Sequence, residues 1–263
     1  MVAAKAASAK SPIPALEGIL IETGTDKVQL TGYDLKTGIR TKVNADITEK
    51  GEMLLNAKLF GDIVRSLPDG VVNVVSDSGY MTRITCGNAD FSIMGFDSED
   101  YPDLPDADGH NNQIEVDQAL LGDMIRRTIF AVSDNEARPI YTGELFEIGD
   151  GHLTVVAVDG YRLALRREKV EGAGEDCSFI VPGTALSDLE KLCSATDEPV
   201  SIALGNKHIS FTIADTVLLS RRLEGEFLNY KKIVPATFNV EVTAERTVLQ
   251  RTVERVSLII DDK

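Results

Sequence analysis

The sequence predicts an α+β fold made of tandem copies of one domain, with antiparallel sheets and helices on one face. Three observations carry this. Residues 18–35 (GILIETGTDKVQLTGYDL) align without a gap on residues 143–160 (GELFEIGDGHLTVVAVDG). Short runs rich in Val, Ile, Leu and Thr are separated by Gly, Asp and Asn along most of the chain. Stretches at 57–66, 118–131 and 184–193 repeat their apolar residues with a helical period. The offset, 143 − 18, is about 125 residues, well beyond a solenoid period of roughly 20–50 and equal to a domain length.

Strands are expected at 18–23, 27–33, 71–76, 82–86, 144–148, 152–158, 200–204, 208–213 and 216–221. Gly24, Asp69-Gly70, Gly149-Asp150-Gly151 and Gly205-Asn206 supply the turns. In 118–131, Leu120, Leu121, Met124, Ile125 and Ile129 form one face and Gly122, Asp123, Arg126 and Arg127 the other. Asp117 and Asn56 are the expected N-caps of 118–131 and 57–66.

The repeat extends beyond the hairpin. LLNAKLFGDIV (54–64) answers IVPGTALSDLE (180–190), and ITCGNADFSIMGF (84–96) answers FTIADTVLLSRRL (211–223). Val-Glu-Val at 240–242, followed by helical spacing, answers Ile114-Glu115-Val116 and the helix after it. The expected organisation is three parts. Residues 1–110 form a first copy lacking its first strand and most of its first helix. Residues 111–237 form a complete second copy, and 238–263 begin a third. On this reading the sequence is part of a three-copy protein; two domains plus a capping helix is the simpler alternative.

The formal net charge is −15, which disfavours tight nucleic-acid binding by the whole surface but leaves room for a local basic stripe. No apolar run approaches the roughly 20 residues of a membrane span. The three cysteines, Cys86, Cys177 and Cys193, are scattered and odd in number, which suits reduced thiols in a cytoplasm.

Catalytic and cofactor motifs are missing from the sequence. His110, His152 and His208 have no partners at metal-ligand spacing, and surface positions are expected for them. There is no Gly-rich phosphate loop and no Gly-x-Ser-x-Gly elbow. The acidic run 97–109 lacks the glycine of a calcium loop and reads as a solvated linker. No cofactor and no metal are therefore expected, and no enzymatic activity. Asp159-Gly160-Tyr161-Arg162-Leu163 stands out. Asp and Gly make a turn, and an arginine between two apolar side chains suits either that turn or the rim of a partner-binding groove.

VAVDGYRLAL (156–165) resembles the Asp-Gly-His-Arg-Leu-Ala signature of the bacterial DNA polymerase III beta subunit family, the sliding clamps. LTGYDL (30–35), DYPDLP (100–105), NEARPIYTG (135–143) and GEFLNYKKIVP (225–235) resemble further segments of that family, in order and over nearly the whole chain. The resemblance implies a DNA-clamp fold with sheets outside and helices on the inner face. It implies a homodimeric ring around duplex DNA that acts as the polymerase's processivity factor. Any polymerase, nucleotidyltransferase or 3′–5′ exonuclease label would then describe the holoenzyme. Implied partners are sequence-independent duplex DNA, the replicative polymerase alpha subunit, the clamp loader and other proteins with clamp-binding peptides. The location would be a bacterial cytoplasm, at the nucleoid, with no membrane partner.

By position, the resemblance places Lys10, Lys58, Asn135, Arg138, Pro139 and Ile140 near DNA. Lys10 also reads as a terminal charge and Lys58 as a solvated helix residue. Pro139 and Ile140 stand where some members have an aromatic pair. The partner-peptide pocket would fall at Tyr141, Val158, Gly160, Tyr161, Arg162, Leu163, Leu228, Lys232 and Ile233, with Tyr161 in place of the usual His and Leu228 in place of the usual Pro. Phe91, Leu258 and Ile259 fall at the dimer interface, or equally in core packing. The alternative reading is a scaffold of repeated protein-binding domains that does not encircle DNA.

Overall fold

A computed structural model describes residues 2–105, 113–170, 176–196, 198–235 and 237–260. The linker expected at 97–112 lies outside the described residues from 106 onward, as does His110.

The first sheet follows from alternating apolar residues around tight turns. Strands β1 (Gly18–Thr23), β2 (Lys27–Tyr33), β3 (Thr37–Asn44) and β4 (Glu52–Asn56) pair antiparallel in the order β4-β1-β2-β3. Helix α1 (Ala57–Ser66) follows directly. Asn56 caps it, its side-chain oxygen accepting from the Leu59 amide at 3.0 Å. Ala57, Phe60 and Ile63 of α1 are buried against Ile19, Ile21 and Leu55. Strands β5 (Asn73–Ser76), β6 (Met81–Cys86) and β7 (Ala89–Met94) form a second, three-stranded sheet, whose Ile84 and Ile93 close the same core.

The pattern then repeats. After β8 (Gln113–Asp117) and α2 (Gln118–Arg126) come β9 (Gly143–Gly149), β10 (His152–Val158), β11 (Leu163–Lys169) and β12 (Cys177–Pro182), in the order β11-β10-β9-β12. Helix α3 (Gly183–Leu192) and strands β13 (Pro199–Leu204), β14 (His208–Ile213) and β15 (Thr216–Arg221) complete the series. The order β3-β2-β1-β4 is the order β11-β10-β9-β12. The bridge between Leu54 and Phe96 reappears between Ile180 and Leu223. Short 3-10 turns at Ala3–Lys5 and Pro14–Glu17 reappear at Ile129–Ala131 and Pro139–Thr142.

The two series are joined edge to edge. Strand β15 pairs with β3, producing one eight-stranded antiparallel sheet, β4-β1-β2-β3-β15-β14-β13-β8. Lys27 meets Asp215 at 2.8 Å, and the Thr41 and Thr216 hydroxyls lie 2.7 Å apart along the seam. Helices α2 and α3 share a core with the eight-stranded and four-stranded sheets, including Leu121, Met124, Ile125, Leu186, Leu189, Phe146, Phe179 and Phe211. By contacts the chain separates into Met1–Phe227 and Leu228–Lys263, because this seam fuses everything before residue 228. In the second unit a 3-10 turn (Tyr230–Lys232) precedes α4 (Arg246–Ser257), which Glu245 caps by accepting from the Thr247 and Val248 amides.

Several local expectations change. The helix expected over 118–131 ends at Arg126, and a separate 3-10 turn covers 129–131. At the break the Thr128 hydroxyl donates back to the Met124 carbonyl at 2.9 Å. Asp117 makes no side-chain cap; the Glu198 and Thr196 carbonyls accept from the first amides instead. Asp69-Gly70 links α1 to β5 and is not a hairpin turn. Val240–Val242 is not a strand, for no described segment supplies a ladder partner.

Gly143 shows why both copies begin their sheet with glycine. A Cβ there would lie 2.3 Å from the Val181 carbonyl oxygen, and one at Gly18 would lie 2.5 Å from the Leu54 side chain. These glycines permit close strand approach.

Candidate functional site

Strands β10 and β11 are held in register to their tips, where Val158 pairs with Leu163. Between them, Asp159 organises the turn. Its Oδ1 accepts from the Tyr161 and Arg162 amides at 2.9 and 3.0 Å, and its Oδ2 accepts from Arg162 Nε at 2.8 Å. These bonds to the charged form, first those from the two amides, hold the Asp159 carboxyl below the usual range. Gly160 adopts φ +97°, a conformation that favours glycine. Tyr161 is fully exposed, Arg162 is exposed and Leu163 half-buried, whereas Val158 is buried.

One aromatic neighbour completes this corner. The Arg162 guanidinium carbon lies 5.6 Å from the ring centroid of Phe130, on the 3-10 turn Ile129–Ala131. Elsewhere, Tyr141, within the 3-10 turn Pro139–Thr142, meets Phe227 edge-on, centroids 5.6 Å apart. The structure thus brings Val158, Gly160, Tyr161, Arg162 and Leu163 into one turn. Leu228, half-buried, and Lys232 and Ile233, exposed, belong to the second unit; Lys232 ends its 3-10 turn.

Phe130 was hidden from sequence reasoning by the assumption of a continuous helix to residue 131. The signal available was an aromatic residue just after the polar Arg126-Arg127-Thr128.

Asn135 and Arg138 frame a tight turn. The Ala137 amide donates to Asn135 Oδ1 at 3.0 Å, and the Arg138 amide to the Asn135 carbonyl at 3.0 Å. Asn135, Arg138 and Pro139 are exposed. Ile140 is half-buried, and its Cδ1 would lie 2.3 Å from a Cβ on Gly225, so its side chain is occupied in packing. Lys10 and Lys58 are exposed. Among the described residues, none of Lys10, Lys58 and Arg138 joins an ion pair. The arginines at the end of α2 and on β11 are different. Arg126 bonds Glu190 at 2.8 Å and Arg127 bonds Asp123 at 2.7 Å, and Arg166 of β11 joins Asp123 at 3.5 Å. Phe91 is partly exposed on β7, an edge strand of its sheet. Leu258 and Ile259 are exposed just beyond α4.

Comparison with known proteins places this architecture. A family model described as the DNA polymerase III beta subunit, central domain, matches residues 115–229, and the N-terminal domain model matches 1–105. The beta sliding clamp of Halalkalibacterium halodurans is 32% identical over 97% of this chain and 70% of its own length. That of Bacillus subtilis is also 32% identical over the same shares. A putative DNA polymerase III beta subunit from Eubacterium rectale superposes with a TM-score of 0.92 at 32% identity, covering 99% of this chain and 71% of the other. The sliding clamp from Pseudomonas aeruginosa bound to griselimycin superposes with a TM-score of 0.92 at 26% identity, covering 100% and 71%. With two sheets in the same strand order, matching 3-10 turns and these relatives, the chain belongs to the DNA polymerase III beta subunit family, the beta sliding clamps.

Proposed function

We propose that this chain serves as a processivity factor that encircles duplex DNA and tethers partners through the β10–β11 corner. The observation carrying this is the turn 159–162 in the second series, which presents an arginine between apolar side chains where the first series has Lys36-Thr37. Tyr141, Val158, Gly160, Tyr161, Arg162 and Leu163 are the proposed peptide-binding residues of the first unit. Lys10, Lys58, Asn135, Arg138 and Pro139 are proposed to face phosphate, whereas the Ile140 side chain packs beside Gly225. Phe91, and separately Leu258 and Ile259, are proposed for self-association. The proposed domains are 1–110, 111–237 and 238–263.

The role is one of holding, without chemistry on the substrate, and we assign it to the bacterial cytoplasm at the nucleoid. Among the described residues no helix is long and apolar enough to cross a membrane. A scaffold that never meets DNA is not favoured by the relatives, which are sliding clamps.

Griselimycin, the ligand of the Pseudomonas aeruginosa relative, is the probe. Titrated calorimetrically against the wild type and Leu163→Asp, it should bind the variant at least tenfold more weakly, within the ~1–3 kcal/mol of an apolar anchor. Equal affinity for both proteins removes the corner from the binding site.

A further inference from the structure

The two series share the framework of the β10–β11 corner but not its chemistry. In the first series Asp34 Oδ1 accepts from the Lys36 and Thr37 amides at 2.9 and 2.6 Å, the same turn that Asp159 makes with Tyr161 and Arg162. Leu35 there has φ +71°, as Gly160 has +97°. A 3-10 turn precedes each sheet, at Ala3–Lys5 and at Ile129–Ala131. Yet the first series has Thr37 where the second has Arg162, and its 3-10 turn carries no aromatic residue. The fold therefore needs neither Arg162 nor Phe130, and the two occur together.

Core packing does not account for Phe130. It is 56% exposed, so it adds little to the core. Its turn is nevertheless firmly seated. Ala131 is fully buried with Ala157 and Ala164, whose small side chains let the turn press onto β10 and β11. The Ala131 amide donates to the Thr128 carbonyl at 2.9 Å, and the Val132 amide to Ile129 at 3.2 Å. The ring is thus fixed beneath the guanidinium, 5.6 Å away.

Arg162 is then held from two sides. Asp159 accepts a hydrogen bond from its Nε, and the Phe130 ring supports its planar face. Among the described residues, its terminal nitrogens have no hydrogen-bond partner. They form a fork suited to carbonyl or carboxylate oxygens.

We propose that Phe130 is a positioning residue for peptide recognition, holding Arg162 with its terminal nitrogens turned toward the oxygens of a bound peptide. This rests on the β10–β11 corner being the peptide site. A preorganised guanidinium loses less freedom on binding than a free one, which is the source of the gain.

The test uses the full chain as wild type, Phe130→Leu, Phe130→Tyr, Arg162→Met and the double variant Phe130→Leu/Arg162→Met. Griselimycin affinity and the NMR shifts of the Arg162 δ-protons are measured. Leu keeps apolar bulk without a π face; Tyr keeps the face. Phe130→Leu should weaken binding about two- to fivefold, the range of an exposed cation–π contact. Phe130→Tyr should restore it, and Phe130→Leu should cost nothing further once Arg162 is Met. The upfield ring-current shift of the δ-protons should vanish only in the Leu variant of the pair. If Arg162→Met weakens binding and Phe130→Leu does not, or their losses add, the positioning role is wrong. If neither Arg162→Met nor Leu163→Asp alters griselimycin binding, or the wild type does not bind it, the corner is not the peptide site. The δ-proton shift then still decides whether Phe130 holds Arg162, and an unshifted wild-type signal overturns that contact.

Discussion

Glu144 is a buried ionisable side chain whose protonation should govern stability. It is the second residue of β9, opposite Val181 of β12, and is fully buried. Among the described residues, neither of its carboxyl oxygens has a hydrogen-bond partner. The Thr128 hydroxyl exerts a smaller opposing influence but is committed to the Met124 carbonyl. Burial raises the Glu144 pKa from 4.5 to about 8, because an ionised carboxylate in this apolar layer would lose its hydration without compensation. The unfolded chain titrates near 4.5, so between 4.5 and 8 the unfolded state releases a proton that the folded state keeps. The folded pKa is the raised one, and the stability is therefore complete below pH 4.5 and falls as pH climbs toward 8. The slope approaches 1.4 kcal/mol per pH unit, giving a loss of about 4 kcal/mol over the window. Glu144→Met retains an unbranched side chain of similar volume and removes the titration. Urea unfolding of both proteins from pH 4.5 to 8 should show Met gaining on Glu as pH rises, by about 4 kcal/mol in total. The comparison cancels every other acid. A difference between the two proteins that stays constant across this range means that Glu144 ionises without penalty, and the reasoning fails.

Gly143→Ala should destabilise by about 1–3 kcal/mol or more, because its Cβ would enter the Val181 carbonyl and force β9 from β12; thermal melting reads it. Lys58→Ala should lower the salt dependence of duplex binding by about one released ion, and Arg126→Ala by less, since Glu190 already occupies that guanidinium; titrations across a salt series compare them.

How far the sequence carries depends on whether the deciding force is local. Strands β1, β2, β10, β14 and β15 announce themselves by alternation and their expected limits hold. Strand β3 reads TGIRTKVN and β11 reads LALRREK. Their charged residues mask the apolar period, and only neighbours in the sheet identify them as strands. The β3–β15 seam is less visible still. Two edges about 175 residues apart become one sheet through backbone pairing, which no side-chain pattern dictates. Helix α1 could be read to its ends because its cap is the adjacent Asn56. The end of α2 depends on the back-bonding Thr128 hydroxyl, and its first amides on carbonyls from residues 196 and 198, so its end and its capping escape a local reading. At the candidate site, Asp159 to Leu163 were evident as one segment, while Phe130 meets Arg162 only through the seating of Ala131 on Ala157 and Ala164.

The charge of −15 looks at odds with a partner as anionic as DNA, but the placement of cations resolves it. Arg126, Arg127 and Arg166 are each paired with a carboxylate of their own surroundings, so a phosphate gains little by approaching them. Exposed ion pairs of this kind contribute modestly to stability. Their greater effect is on binding, since every phosphate contact there must displace Glu190, Asp123 or Glu168. Among the described residues, Lys10, Lys58 and Arg138 have no such carboxylate partner. Weak and few contacts suit a protein that must move along the duplex, where tight phosphate binding would arrest it. Retention must then come from enclosure, and the remaining negative surface helps by repelling DNA that is not enclosed. On this account, adding cations to the outer sheets would raise equilibrium affinity for DNA while impairing sliding.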